Sequence, residues 1–225
     1  MSNIFVENRE HASLLVIVFN SSYPHSVERP FEFFDLTSAL QCSRIHCKDP
    51  AFVFYHGGID QQHRGIRAMA SRLQQHIADL SPRVTIALGA SSGGYAAVVF
   101  GHLCGFDHVH GLGTVTCLLP EFMREHARED TPLRWVRYQK LWNLPEADWA
   151  LFDLVHVLAK HNGRTKYYLH FCADNARDRS MSERLAKSPG VTLLPYPCNH
   201  HYVTVYMHKN NLLGRLFGLP PIRER

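Results

Sequence analysis

The chain has no block of like charges, no cationic start leading into an apolar stretch, and no apolar run long enough to cross a bilayer. Its 24 basic and 20 acidic residues are scattered, leaving a net charge of +4 without the basic patch of a dedicated nucleic-acid binder. The early apolar run at 14–19 falls far short of the roughly 20 residues of a membrane span, so no span is expected. None of the six cysteines (Cys42, Cys47, Cys104, Cys117, Cys172, Cys198) pairs as C-x-x-C, and the expectation is free thiols in a reducing cytoplasm. The sequon Asn20-Ser21-Ser22 would then carry no glycan. Linkers rich in Pro, Gly or Ser are missing, as are internal repeats, so residues 1–225 are expected to form one domain.

Histidine is in excess, at sixteen residues. A metal site needs convergent ligand spacing, and only His108/His110 and His200/His201 are close pairs, neither joined to a carboxylate in a known ligand pattern. No metal is expected, and the first pair reads as strand or turn histidines.

Residues 14–19, Leu-Leu-Val-Ile-Val-Phe, form a β-branched run without alternation, the pattern of a strand buried on both faces. A second strand is expected at 44–47 or 52–55. Apolar residues at Ile66, Met69, Leu73, Ile77 and Leu80 predict a helix within 60–80, stopped by Ser81-Pro82. Strands follow at 84–88, 109–118, 167–172 and 191–194. Helices are expected after Gly94, at 133–142, at 147–160 with Asn162-Gly163 as its stop, at 181–187 and at 201–217. Strand and helix alternate, which predicts an α/β fold: a mostly parallel sheet with helices on both faces, plus a helical insertion at about 120–163. Trp135, Tyr138, Trp142 and Trp149 fall in that insertion as lid elements or as packing, while Arg134, Arg137 and Lys140 read as its solvated face.

Gly89-Ala90-Ser91-Ser92-Gly93 is a G-x-S-x-G sequence set between a predicted strand and a predicted helix, where the motif has a mechanical meaning. A sharp strand-to-helix turn exposes its central serine at the C-terminal edge of the sheet and needs small residues two positions to either side. Gly89 and Gly93 meet that need, and no G-K-[ST] follows to suggest a nucleotide loop. Ser91 is therefore the candidate nucleophile, with the backbone N–H of Ser92 as one oxyanion donor.

Two later loops at the same edge offer partners. The first carries Asp174 and Asp178, the second His200 and His201. Asp178, close to a predicted helix, is preferred to Asp174, and His201 to His200, with both alternatives open. The second oxyanion donor is placed in the Asn20-Ser21 backbone, after the strand two before the elbow strand. His56-Gly57-Gly58 is similar to an oxyanion motif of some lipases and esterases, but it follows the wrong strand and is assigned to the site's edge.

The arrangement resembles the α/β-hydrolase family, and more narrowly its small bacterial esterase and acyltransferase members with a G-x-S-x-G-G-Y elbow, here Gly89 to Tyr95. The resemblance implies a three-layer α/β fold, a Ser91-Asp178-His201 triad, and ester or thioester hydrolysis or acyl transfer through an acyl-enzyme without a cofactor. It also implies a small-molecule or glycan-linked acyl substrate. The alternative is a non-catalytic binding or accessory protein of the same fold.

Overall fold

The computed structural model describes residues 2–22, 31–126, 131–161 and 163–217. The expected stop at Asn162 and residues 127–130 of the expected insertion lie outside them. The first half of the chain runs β1 (Ile4–Glu7), β2 (Leu14–Phe19), α1 (Phe34–Ser38), β3 (Ser43–Cys47), α2 (Ile66–Leu80), β4 (Val84–Ala90) and α3 (Ser92–Cys104). The second runs β5 (His108–Leu112), α4 (Pro120–His126), α5 (Pro132–Trp142), α6 (Leu154–Ala159), β6 (Lys166–Cys172), α7 (Ala176–Glu183), β7 (Val191–Tyr196) and α8 (Val203–Lys209).

The strands form one seven-stranded sheet in the order β1-β3-β2-β4-β5-β6-β7, in which only the β1 pair with β3 is antiparallel. From β2 the chain moves outward to β3, then crosses back over β2 to β4. The sheet therefore reverses direction between β2 and β4, the place where open α/β sheets bind ligands.

Side-chain alternation explains the layers. Leu15, Ile17 and Phe19 of β2, with Ala87 of β4, join the large core formed with α2, α3 and α6, while Val16 and Val18 face the opposite side. On that opposite side Leu88 and Leu112 pack with Val203 and Met207 of α8. Each large apolar side chain so buried stabilises the fold by about 1.5–3 kcal/mol. The result is a three-layer sandwich. α3, buried continuously from Ser92 to Gly101, runs along the sheet's centre, as a helix without a polar face must.

Several elements differ from expectation for local reasons. Residues 52–55 form turns: Phe52, Phe54 and Tyr55 take positive φ, and the Asp49 carboxylate accepts the N–H groups of Ala51 and Tyr55. Asp60 Oδ1 accepts the N–H groups of Gln62 and His63, which holds off α2 until Ile66. β5 stops at Leu112 because Gly113, at φ 57°, turns the chain. The single helix expected at 147–160 is divided by two caps, with Asp148 accepting from Ala150 N–H and Asp153 from Val155 N–H. Asn211, at φ 54°, follows α8 and shortens the last helix.

The expectation of six free thiols is corrected. Cys172, closing β6, and Cys198, just past β7, form a disulfide, and Cys42, Cys47, Cys104 and Cys117 are free. A bonded pair is characteristic of oxidising compartments, so the cysteines do not support the reducing-cytoplasm expectation. No helix among the described residues is long and apolar enough to cross a membrane.

Candidate active site

β4 runs straight into α3 through Ser91, whose backbone sits at φ 52° and ψ −113°. Such a conformation costs a non-glycine residue about 1–3 kcal/mol and persists only where its surroundings hold it. Here the Ser91 N–H donates to Leu112 O at 2.8 Å, and Ser91 O accepts from Tyr95 N–H at 3.1 Å. The turn is tight enough that a Cβ on Gly89 would collide with the Gly93 carbonyl, and a Cβ on Gly93 with the Phe19 carbonyl. The two glycines let the elbow close against both its own helix and the neighbouring strand.

The first turn of α7, after β6, and the loop after β7 deliver the other two polar groups. His201 Nε2 lies 3.1 Å from Ser91 Oγ, and His201 Nδ1 lies 2.7 Å from Asp178 Oδ1. With Nδ1–H donating to the carboxylate, Nε2 is left as the acceptor for the Ser91 hydroxyl proton. Asp178 is 3% exposed and its Oδ2 has no hydrogen-bond partner among the described residues. α7 begins five residues earlier than expected, so Asp178 sits in its first turn, where Asn175 Oδ1 accepts the Asp178 N–H at 2.9 Å. The alternatives are placed elsewhere. Asp174 and His200 are exposed, and His200 Nδ1 lies 4.0 Å from Cys172 Sγ.

The two loops are laced together. Ala173 N–H donates to Tyr196 O, Asp174 N–H donates to Cys198 O, and the disulfide joins the same two strand ends. Gly113 completes the floor: a Cβ there would fall 2.9 Å from His201 O and 3.5 Å from Asp178 Oδ2. Sequence reasoning missed Gly113, whose only signal is a glycine at the end of a strand.

The oxyanion assignments fare unequally. Ser92 is the first residue of α3, where backbone N–H groups have no partner within the helix. Its hydroxyl is paired with the Ser22 hydroxyl at 2.7 Å. The Asn20 N–H does not face the elbow. It donates to Cys47 O at 3.0 Å, extending the β2–β3 ladder by one residue, which corrects its placement as a donor. The Ser21 N–H is at the cleft and donates to Glu32 Oε2 at 2.9 Å.

His56 is not at the site's edge. It is fully buried, its Nδ1 accepting from Asp148 N–H, which leaves Nε2–H to donate to the Tyr95 hydroxyl at 2.8 Å. Tyr95 in turn donates to Leu151 O, so the G-G-Y tyrosine ties α3 to the segment before α6. Burial pushes His56 down to about 3, which keeps it neutral. His110 and His170 form a second buried pair at 3.0 Å, with His170 also on the Tyr196 hydroxyl. Among the described residues no group of three or more His, Cys, Asp or Glu side chains is arranged to hold a metal ion.

α5 is not simply a solvated face. Its aromatic residues Trp135, Tyr138 and Trp142 pack together, and Trp142 Nε1–H donates to Leu118 O. Trp149 is half exposed and stacks on Phe152. Arg134 and Arg137 line the cleft containing Ser91, while Lys140 donates to Ala51 O on the exterior.

No protein-family model matches the sequence, and no curated protein matches it. Solved structures do. The capsule O-acetyltransferase of Neisseria meningitidis serogroup A superposes with a TM-score of 0.63 at 10% identity, covering 94% of this chain and 90% of that one. The glycosylation associate protein (Gap123) complex from Streptococcus agalactiae gives 0.65 at 15% identity, covering 94% of this chain and 45% of that one. MGS-MChE2, an α/β hydrolase enzyme from the metagenome of sediments of the lagoon of Mar Chica, Morocco, gives 0.58 at 12% identity over 95% and 93% of the two chains. At such identities the likeness is one of architecture, and it agrees with the strand order and the central strand-turn-helix: this chain has the α/β-hydrolase fold.

Proposed function

We propose that the protein is a serine hydrolase or acyltransferase that acts on an ester or thioester through a Ser91-His201-Asp178 triad. The observation that carries this reading is the continuous chain from Ser91 Oγ through the two nitrogens of His201 to a buried carboxylate, built on a strained elbow at the sheet's reversal point. Strain at a single half-buried serine that lines the cleft, with a base in reach, is hard to explain by packing alone.

In the reaction Ser91 Oγ attacks the acyl carbonyl as His201 Nε2 takes the hydroxyl proton, while Asp178 holds the imidazole in the correct tautomer and stabilises the imidazolium. The N–H groups of Ser92 and Ser21 hold the oxyanion, helped by the positive end of α3. Collapse breaks the bond to the leaving group, which takes the proton from His201 and leaves an acyl-serine. Water, or an acceptor hydroxyl, then repeats the sequence in reverse. The printed names of the Neisseria and Streptococcus structures, a capsule O-acetyltransferase and a glycosylation associate protein, favour an acyl group linked to a glycan.

A second reading, a non-catalytic module of the same fold, is favoured by the Glu32 carboxylate on the Ser21 N–H. Labelling with a fluorophosphonate separates the two. The wild-type protein is expected to be labelled and Ser91→Ala not. A folded wild-type protein that stays unlabelled favours the module, and labelling that survives in Ser91→Ala removes Ser91 from the role.

A further inference from the structure

The two backbone donors assigned to the oxyanion come from separate elements: Ser92 opens α3, and Ser21 lies in the loop beyond β2. An oxyanion hole works only if both N–H groups stand about 3 Å from one point, so the distance between the two must be fixed. The pairing of β2 with β3 and β4 ends at Phe19, and beyond it side chains contribute the hold. Ser22 lies where three links cross. Its hydroxyl is paired with the Ser92 hydroxyl at 2.7 Å, its carbonyl accepts from Arg137 Nη1 at 2.7 Å, and its own peptide bond joins it to Ser21. It therefore ties one donor residue to the other.

Arg137 is half buried and reaches this loop from α5, across a separation of 115 residues. Its guanidinium lies 4.7 Å from the centre of the Phe52 ring. Lys140, one turn further along the same face of α5, donates to Ala51 O at 3.0 Å. The helix is thus moored twice to the segment after β3, which the Asp49 carboxylate fixes in turn through the N–H groups of Ala51 and Tyr55. From that footing the guanidinium holds the Ser22 carbonyl with a charged donor, which makes a stronger hydrogen bond than a neutral one.

We propose that Arg137 is a positioning residue: by holding the Ser22 carbonyl it sets the spacing between the Ser21 and Ser92 N–H groups, and it acts on the transition state through that spacing. The proposal rests on the serine-hydrolase reading and adds to it a role for the insertion helix α5, which reaches the oxyanion by way of Ser22. The effect is large for a small displacement. Removing one oxyanion donor costs about 10²–10³ in kcat in sites of this kind, and a misplacement of about 1 Å costs up to about 10². Ground-state binding of the ester depends far less on the same two groups, so the loss falls on kcat.

Arg137→Met removes the donors and keeps most of the stem. With phenyl acetate its kcat is expected to fall about 30-fold while KM stays within about twofold, and Arg137→Lys, which keeps a charged donor, should recover part of the loss. A rise in KM with kcat unchanged would make Arg137 a substrate contact and overturn the proposal. A pair of ketones gives a second readout. In the adduct of 1,1,1-trifluoro-4-phenylbutan-2-one, Ser91 Oγ bonds the carbonyl carbon, the C=O electron pair moves to oxygen and the hydroxyl proton passes to His201, whereas 4-phenylbutan-2-one binds without forming the oxyanion. Arg137→Met should weaken the first about tenfold or more and the second less than about twofold, and equal losses would overturn the proposal. Ser22→Ala keeps the carbonyl but breaks the link to Ser92, and its effect should combine with that of Arg137→Met to less than the product of the two. Fully multiplicative effects would also overturn it. Hydrogen exchange read by mass spectrometry keeps the two readings apart. If phenyl acetate is not turned over and the fluorophosphonate does not label, the hydrolase reading fails. Fragments holding Ser21 and Ser22 that exchange about tenfold faster in Arg137→Met than in wild type then still support the clamp, and equal exchange rejects it.

Discussion

Glu32 Oε2 accepts the Ser21 backbone N–H at 2.9 Å, and Glu32 Oε1 accepts the Ser21 hydroxyl at 2.5 Å. A carboxylate thus occupies the donor proposed for the oxyanion, and two negative charges cannot share it. In the proposed reaction Glu32 would have to leave the Ser21 N–H. Glu32→Ala, by removing this competitor, is expected to raise kcat/KM for a neutral ester about tenfold, which corresponds to roughly 1.4 kcal/mol of recovered transition-state binding. A fall in kcat/KM, measured with phenyl acetate, would instead make Glu32 a support for the loop.

The doubled acid and doubled base separate cleanly by mutation. Asp178→Asn keeps the shape of the buried side chain but permits the wrong histidine tautomer, and a loss in kcat of about 10³–10⁴ is expected from the behaviour of such triads elsewhere. His201→Ala is expected to cost at least as much. The exposed Asp174 and His200, each replaced by alanine, should stay within about threefold of wild type. A large loss at either exposed position, with the protein still folded by circular dichroism, would reassign the triad.

The Cys172–Cys198 disulfide closes a separation of 26 residues that contains Asp178 and α7. Chain-entropy reasoning gives it about 3.5 kcal/mol of stability, so replacing both cysteines by serine should lower the guanidinium unfolding midpoint accordingly. Alkylation of the denatured protein provides a direct check, with four thiols reactive before reduction and six after. Six before reduction would remove the bond.

Acid should destabilise the protein through its buried histidines. Burial pushes His46, His56 and His170 down to about 3 and His110 to about 4, from an ordinary value of 6.5. Below that ordinary value the unfolded chain takes up protons that the folded chain refuses, so stability is complete above it and falls as pH drops. Each such group contributes a slope of about 1.4 kcal/mol per pH unit within its window. Urea unfolding at pH 7.5 and pH 5 should show the loss, and His56→Asn should make the dependence shallower by about one group's slope. Equal stability at the two pH values would contradict the burial argument.

The strand-turn-helix order and the strands that precede the site were legible in the sequence, whereas local caps and turns such as those at Asp60, Asp148 and Asp153 moved element boundaries. The turn at Ser91 needs only a buried strand, two glycines at fixed spacing and a small-residue helix, all within twenty residues, and the segments bearing Asp178 and His201 are marked by the strands before them. The choice within each pair was not local, because it depends on how the last strand docks. Asn20 was misplaced as a donor because the length of a parallel ladder cannot be read from one strand, and its N–H was already committed to Cys47. The disulfide was missed because nothing in a 26-residue spacing announces that two strand ends lie side by side. The cleft-facing role of Arg134 and Arg137 was hidden for a related reason: helical periodicity separates a polar face from an apolar one, but it does not say that the polar face looks into a cavity.

The hydrogen bond between Ser91 and His201 spans 110 residues of chain. During synthesis the strand, turn and helix around Ser91 emerge before the strand that brings the histidine, 110 residues further along the chain. A ribosome-bound or half-folded chain therefore displays a serine with no base beside it. If Ser91 is the nucleophile proposed here, its reactivity would require β7 and the segment bearing His201 to be in place, so labelling would report that this edge of the sheet has been assembled.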